Sequence, residues 1–181
     1  MTKPIQISPI TLRSFSELDD LSDAALEELA KVLIPMSVRS DEVFHKIGNK
    51  ESYLFLIQSG AISISTEIQG SLQELVILSE YQMFGNSALF RQSSLSLQCK
   101  AIENSSLYVI PRHMHQWALE RGERWAIELQ RSLGVQLVQQ LRYAMESLQK
   151  NIENPPEDKH NFFLEMLQLT DFSIPSDVEP I

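Results

Sequence analysis

The chain has 181 residues, 43% of them hydrophobic and 22% charged, which fits one domain of about 120 residues plus an appendage. The net charge is -9. Much of this negative charge lies in residues 151–181, which contain seven carboxylates and one basic side chain, Lys159. An acidic tail repels phosphate backbones and anionic lipid, so we expect neither direct nucleic acid binding nor membrane binding. The alternative interpretation of the tail is a solvated chain end.

The single cysteine, Cys99, excludes an intramolecular disulfide and a four-cysteine metal or iron–sulfur site. No stretch reaches the roughly 18 apolar residues of a membrane span, and the N-terminus lacks a charged region followed by an apolar one. We therefore expect a cytoplasmic protein that uses no cofactor.

The first predicted elements are a flexible N-terminus and a short helix. Residues 1–11 contain two prolines and are expected to be flexible. Ser22 is a predicted N-cap, because its hydroxyl can accept from a free N–H of the first turn. Leu26 and Leu29 then lie on one helical face, and Pro35 ends the helix.

Residues 36–111 follow a period of two. Short apolar or alternating runs are separated by turn residues, which is typical of an antiparallel barrel or jelly roll. The clearest hairpin joins residues 53–57 to 61–65 through Ser59 and Gly60. The predicted strands are residues 43–44, 53–57, 61–65, 72–78, 95–101 and 107–110.

Helical periodicity returns after the strands. Pro111 begins a helix that ends near Glu120, and a long helix follows Gly122 up to about Glu153, where Asn154-Pro155-Pro156 stops it. The chain thus divides into a barrel domain at 12–120, a long dimerisation helix at 121–153, and an acidic tail at 154–181 with an amphipathic helix at 161–169.

The long helix carries two apolar rows. One row would dock the helix on its own barrel, and a second row indicates a partner helix, which predicts a homodimer. The alternative is one broad buried face in a monomer. The predicted dimer seam is Ile127, Gly134, Leu137, Leu141, Ala144 and Leu148. The neighbouring row is Trp125, Leu129, Leu133, Val138 and Met145.

Four phrases occur in a fixed order along residues 12–153. They are FSEL at 15–18 followed by LSDAALEEL at 21–29, YLFLIQSG at 53–60, FGNSAL at 84–89 and LYVIPR at 107–112. Together they resemble the sensor half of the Crp/Fnr superfamily and other cyclic-nucleotide-binding domains. The resemblance implies an α+β fold, an antiparallel β jelly-roll barrel with an N-terminal helix and a long C-terminal dimerisation helix.

The resemblance also implies a phosphate-binding cassette after Phe84. In such a cassette an acid accepts from the ribose hydroxyl and an arginine pairs with the phosphate. Here the acid position is Asn86 and the arginine position is Leu95. Losing a charge-assisted pair in a buried site costs roughly 2–5 kcal/mol, so we do not expect ordinary cAMP or cGMP to bind. The implied ligand-binding positions are Gly85, Asn86, Ser87, Ala88, Arg91, Leu95, Ser96 and Gln140, with Gln139 beside the last.

Several functions stay open at this point. Arg91 is either a solvated loop residue or a contact to a larger anion such as cyclic di-GMP. Residues 161–169 resemble the first helix of the family's DNA-binding domain, and residues 170–181 are not expected to form a recognition helix. The favoured hypothesis is a regulatory homodimer that acts on an unidentified protein partner. The alternatives are a sensor of an atypical nucleotide such as cyclic di-GMP and a Crp/Fnr-type transcriptional regulator that works with another DNA-binding subunit.

The remaining residues that could carry chemistry predict no catalysis. The chain has no P-loop, nucleophile elbow, paired carboxylates or zinc-ligand spacing, so we do not expect an enzyme. The four histidines, His45, His113, His115 and His160, are expected to be solvated rather than to bind metal or haem. Trp117 and Trp125 flank the break between the two C-terminal helices and are expected to pack there, with a partner-binding anchor as the alternative.

Overall fold

The structure is a computed structural model that describes residues 7–49, 52–68, 70–90 and 97–153, without the side chains of 144, 147, 148 and 150–153. The helices are α1 (Pro9–Leu12), a 3-10 helix (Ser16–Leu18), α2 (Asp23–Val32), α3 (Asn86–Phe90), α4 (Arg112–Glu120) and α5 (Arg124–Glu153). The strands are β1 (Ile34–Val38), β2 (Val43–His45), β3 (Tyr53–Ser59), β4 (Ile62–Ile68), β5 (Ser71–Leu78), β6 (Met83–Phe84), β7 (Leu97–Ala101) and β8 (Ser105–Pro111). No helix in these ranges is long and apolar enough to cross a membrane.

The eight strands form two antiparallel four-stranded sheets. Their orders are β1-β8-β3-β6 and β2-β7-β4-β5, so strands distant in sequence become neighbours, as in a jelly roll. The predicted α+β fold with an antiparallel β barrel is therefore confirmed.

The structure has two hydrophobic cores, one between the helices and a sheet and one inside the barrel, and strand β3 contributes to both. Its side chains alternate, so that Leu54 and Leu56 join a core shared with the helices, whereas Phe55 and Ile57 enter the barrel interior. A strand buried on both faces reads as a continuous apolar run, which is what residues 53–57 show. The sheet that contains β3, β1-β8-β3-β6, thus lies between the helices and the barrel core.

The N-terminal region differs from the prediction. The helix α1 begins at Pro9, where the missing proline N–H costs nothing, and the Ser8 hydroxyl accepts from the N–H of Ile10. Ile7 and Leu12 are buried in the helical core, so the flexible N-terminus predicted for residues 1–11 is wrong from residue 7 onward. Ser22 is the predicted N-cap of α2 and accepts from the N–H of Ala25.

Helix α5 is bound to the N-terminal helices by polar contacts as well as by its apolar inner face. The Glu28 carboxylate of α2 accepts from the backbone N–H of Trp125 at 3.1 Å, which satisfies a free donor at the start of α5. The Glu128 carboxylate accepts from the N–H and the hydroxyl of Ser22 at 2.7 and 3.0 Å. One turn later the Ser132 hydroxyl donates to the carbonyl of Glu17. These contacts fix the rotation of α5 and decide which of its faces points outward.

Candidate functional site

The described part of the cassette begins at a tight turn. Gly85 has φ +84°, and a Cβ at this position would collide with the carbonyl oxygen of Tyr53, so only glycine fits. Asn86 and Ala88 are then buried in the short helix α3, and Ser87 is half-buried. The close approach of this turn to β3 ties the cassette to the barrel wall.

The other predicted ligand positions do not meet at a described site. Arg91, Leu95 and Ser96 lie outside the described residues. Gln140 is half-buried on α5 and lines neither the void beside Gly85 nor the exterior groove that Gln139 lines. The predicted binding site remains a prediction at these positions.

Aromatic side chains fill the barrel interior beside the cassette. The Phe55 ring stacks on Phe84 at a centroid distance of 4.7 Å and an interplanar angle of 12°. The rings of Phe44 and Tyr53 contact Phe55 at 5.6 and 5.7 Å. The void left among these rings, Gly85 and β7 is about 10 Å³, which is no larger than a single water molecule needs. Those side chains therefore leave no space for a nucleotide between them.

The same interior contains two titratable side chains. His45 is buried, its ring lies 6.3 Å from that of Phe55, and its Nε2 atom has no hydrogen-bond partner among the described residues. Burial lowers the pKa of His45, because the charged ring would lose its hydration. Its neighbour across the strands, Cys99, has a pKa raised by burial to about 12, so this thiol stays protonated and unreactive.

A second histidine is buried between α4 and α5. The ring of His115 lies 5.8 Å from that of Trp125, and its Nε2 atom is 3.2 Å from the carbonyl oxygen of Ala126. Burial lowers the pKa of His115, and the contact to Ala126 opposes that shift. The prediction of solvated histidines is thus wrong for His45 and His115 and correct for His113, which is exposed; His160 lies outside the described residues.

The two buried histidines predict an acid-sensitive fold. Below a pH of about 6.5 the unfolded chain binds more protons than the folded chain, because the pKa values of His45 and His115 are lowered by folding. The stability that comes from keeping the two histidines uncharged is therefore present above a pH of about 6.5, and it is lost as the pH falls toward the folded pKa values. We expect the melting temperature to fall between pH 7 and pH 5, and to fall less in His45→Phe. His113→Phe is the exposed control, and an unchanged decline in His45→Phe would contradict this origin.

The outer face of α5 is apolar and exposed. Ile127 and Leu141 of the predicted seam are 49% and 57% exposed, whereas Gly134 and Leu137 are half-buried and the side chains of Ala144 and Leu148 are not described. The predicted neighbouring row does not exist as one row. Its first three members, Trp125, Leu129 and Leu133, are buried in the helical core, and its last two, Val138 and Met145, are exposed. We call Ile127, Val135, Val138, Leu141 and Met145 the outer face of α5.

The two tryptophans have different environments. Trp125 is buried, and its Nε1 atom donates to the Glu123 carboxylate at 2.8 Å. Trp117 is 54% exposed, and the Arg121 guanidinium lies 4.6 Å from the centre of its ring. The packing prediction therefore applies to Trp125, and Trp117 presents a cation–π pair to the surface.

Comparisons with known proteins agree with this geometry. Residues 35–121 match the family described as the cyclic nucleotide-binding domain. The chain therefore contains a cyclic-nucleotide-binding-like domain, which confirms the resemblance seen in the sequence. A search of curated proteins finds no match.

Solved structures share the fold at low sequence identity. The catabolite activator protein of Thermus thermophilus is 19% identical with a TM-score of 0.64, over 78% of this chain and 62% of that protein. A cyclic nucleotide-binding domain from Methylobacillus flagellatus KT is 15% identical with a TM-score of 0.65, over 86% and 90% of the two chains. The regulatory subunit of a cAMP-independent protein kinase A from Trypanosoma brucei is 13% identical with a TM-score of 0.57, over 61% and 41%. The chain thus covers less than two thirds of the first and third of these proteins.

Proposed function

We propose that this protein is a non-catalytic regulator that acts as a homodimer through protein–protein contacts and needs no cyclic mononucleotide to do so. The observation that carries the proposal is the outer face of α5. Large apolar side chains that are about 49–61% exposed along a helix are costly in water, and each gains about 25 cal/mol for every Å² that a partner covers.

The spacing of apolar residues in the sequence of α5 favours a second copy as the partner. Positions 134, 138, 141, 145, 148 and 152 alternate steps of four and three residues and are Gly, Val, Leu, Met, Leu and Ile. This 3.5-residue period is that of a two-stranded coiled coil, in which two identical seams interlock. Gly134 has no side chain, so two helices could approach closely at that position.

The filled barrel supports independence from cyclic mononucleotides. The stacked pair Phe55 and Phe84 takes the space beside Gly85. The sequence resemblance also implies that Leu95 occupies the position at which the family has its phosphate-binding arginine. The Trypanosoma brucei relative is described as cAMP-independent, so the same fold occurs in a regulator without a cAMP input. A dimer with a preset barrel would act by presenting a fixed surface, such as the exposed Trp117 pair, to an unidentified protein.

A panel of cyclic nucleotides tests the proposed independence from nucleotide binding. We expect cAMP, cGMP and cyclic di-GMP, each at about 1 mM, to leave the melting temperature unchanged. The melting temperature reports binding, because a ligand that binds only the folded state and is present at 100 times its Kd stabilises that state by about 2.7 kcal/mol. A rise of several degrees with any member of the panel would contradict the proposal. Cyclic di-GMP is the member that separates it from the sensor alternative, and Arg91→Ala should then remove the rise.

A further inference from the structure

An open groove runs along the N-terminal half of α5 and contains about 770 Å³. Its floor is apolar and is built by Phe90 at the end of α3, Leu119 of α4, and Ile127, Val135 and Val138 of α5. Phe90 and Ile127 are 40% and 49% exposed, so the floor is open to solvent in the described structure. A groove of this kind suits an amphipathic helix that lays its apolar face on the floor.

The rim of the groove is positively charged. Arg131 and Arg142 line it, together with the amides of Gln130 and Gln139, and no lining side chain among the described residues is acidic. The ion pairs found within the described residues involve neither arginine. In a chain of net charge -9, this local basic rim selects an occupant that carries acid around an apolar face.

We propose that residues 161–169 of the same chain dock in this groove. The segment reads NFFLEMLQL and has apolar side chains at Phe163, Met166 and Leu167, which are spaced to share one helical face. Acidic residues surround it, with Glu157 and Asp158 before it, one within it and one after it. The segment therefore has both properties that the floor and the rim require.

The chain is long enough for this return. Arg142 lies eleven residues before the end of α5, or roughly 16 Å at the helical rise of about 1.5 Å per residue. Residues 154–160 span up to roughly 24 Å when extended, and Pro155 and Pro156 at their start do not continue a helix. Nine helical residues then cover about 13 Å, which reaches from Arg142 toward Arg131.

The docking deepens the proposed dimer but does not depend on it. Gly134 and Val138 belong both to the groove and to the heptad positions, whereas Leu141 and Met145 lie beyond the groove lining. A docked segment therefore leaves the C-terminal half of the seam to the second copy and covers its N-terminal half. Release of the segment would lengthen the dimer contact, which makes the tail a regulator of dimer strength.

Disulfide trapping in the full-length chain tests the docking. We expect Val135→Cys combined with Phe163→Cys to form a disulfide within one chain under mild oxidation, and Val135→Cys with Leu167→Cys covers a register one turn away. The native thiol does not compete, because Cys99 is buried and its pKa is raised to about 12. Tyr143→Cys with Phe163→Cys is the control, because Tyr143 is exposed on another face of α5, about 120° from the middle of the groove.

The outcomes separate the possible occupants. An intrachain disulfide at 135, formed at least tenfold faster than at 143, supports the docking. Equal rates, no disulfide with either partner position, or only an interchain disulfide would overturn it, the last because a second copy then fills the groove. Arg131→Glu with Arg142→Glu should slow the trapping at least tenfold at low salt, whereas Arg39→Glu with Lys46→Glu makes the same change of charge elsewhere and should not. The mass of the particle is read separately, so a monomer that forms the intrachain bond refutes the dimer alone.

Discussion

Leu141→Glu is expected to convert the proposed dimer into a monomer. Leu141 is the heptad residue in the middle of the outer face of α5, and each dimer would bury two new carboxylates without partners. One uncompensated buried charge costs about 3–5 kcal/mol, and each 1.4 kcal/mol is a factor of ten in affinity. The dissociation constant should therefore rise at least about 1000-fold, as measured by sedimentation velocity over a dilution series.

The matched control is Leu72→Glu on β5. Leu72 is 53% exposed, nearly as much as Leu141, but it lies on the sheet edge away from the helices. It should leave both the dissociation constant and the melting temperature nearly unchanged. If both leucine variants weaken association equally, or if neither does, the dimer contact does not lie on α5.

Phe55→Ala is expected to cause the largest loss of stability in the barrel. The Phe55 ring is buried and touches four other rings, and deleting a buried phenylalanine costs about 3–5 kcal/mol because the cavity cannot fully collapse. The free energy of unfolding from urea titration measures this loss. The barrel should also open beside Gly85, so this variant is the form most able to admit a small planar ligand.

Phe90→Ala provides the same chemical change at a less buried position. Phe90 is 40% exposed, so its loss should cost less than about 1 kcal/mol. Equal losses in the two variants would show that the stacked rings do not hold the barrel closed.

The sequence pattern predicted most of the fold, and its omissions have physical causes. The strand β1 was missed because Pro35 reads as a helix stop, yet β1 lies at a sheet edge, where a missing N–H is tolerated. The strand β6 has two residues, too few for any periodicity. The burial of Ile7 was missed because two prolines suggested flexibility, although Pro9 suits the first turn of α1.

The site was less predictable, because it depends on which strands meet. Phe55 and Phe84 are far apart in sequence, and only the pairing of β3 with β6 stacks them. The sequence could have predicted that the apolar row from Trp125 to Met145 divides into a buried part and an exposed part. The step of five residues from Leu133 to Val138 turns the helix by about 140°, which moves the later residues from the core to the surface. The burial of His115 had a similar signal, since it shares a helical face with Ala118, three residues on.

The mass of the particle in solution tests the central claim most directly. Multi-angle light scattering across a wide concentration range, with and without cyclic nucleotides, should give twice the 20.7 kDa of one chain in every condition. A dimer that ignores nucleotides is the result that a filled barrel and an exposed apolar helix face predict. A mass of 20.7 kDa at the highest concentration, or a mass that changes when a cyclic nucleotide is added, would contradict the account.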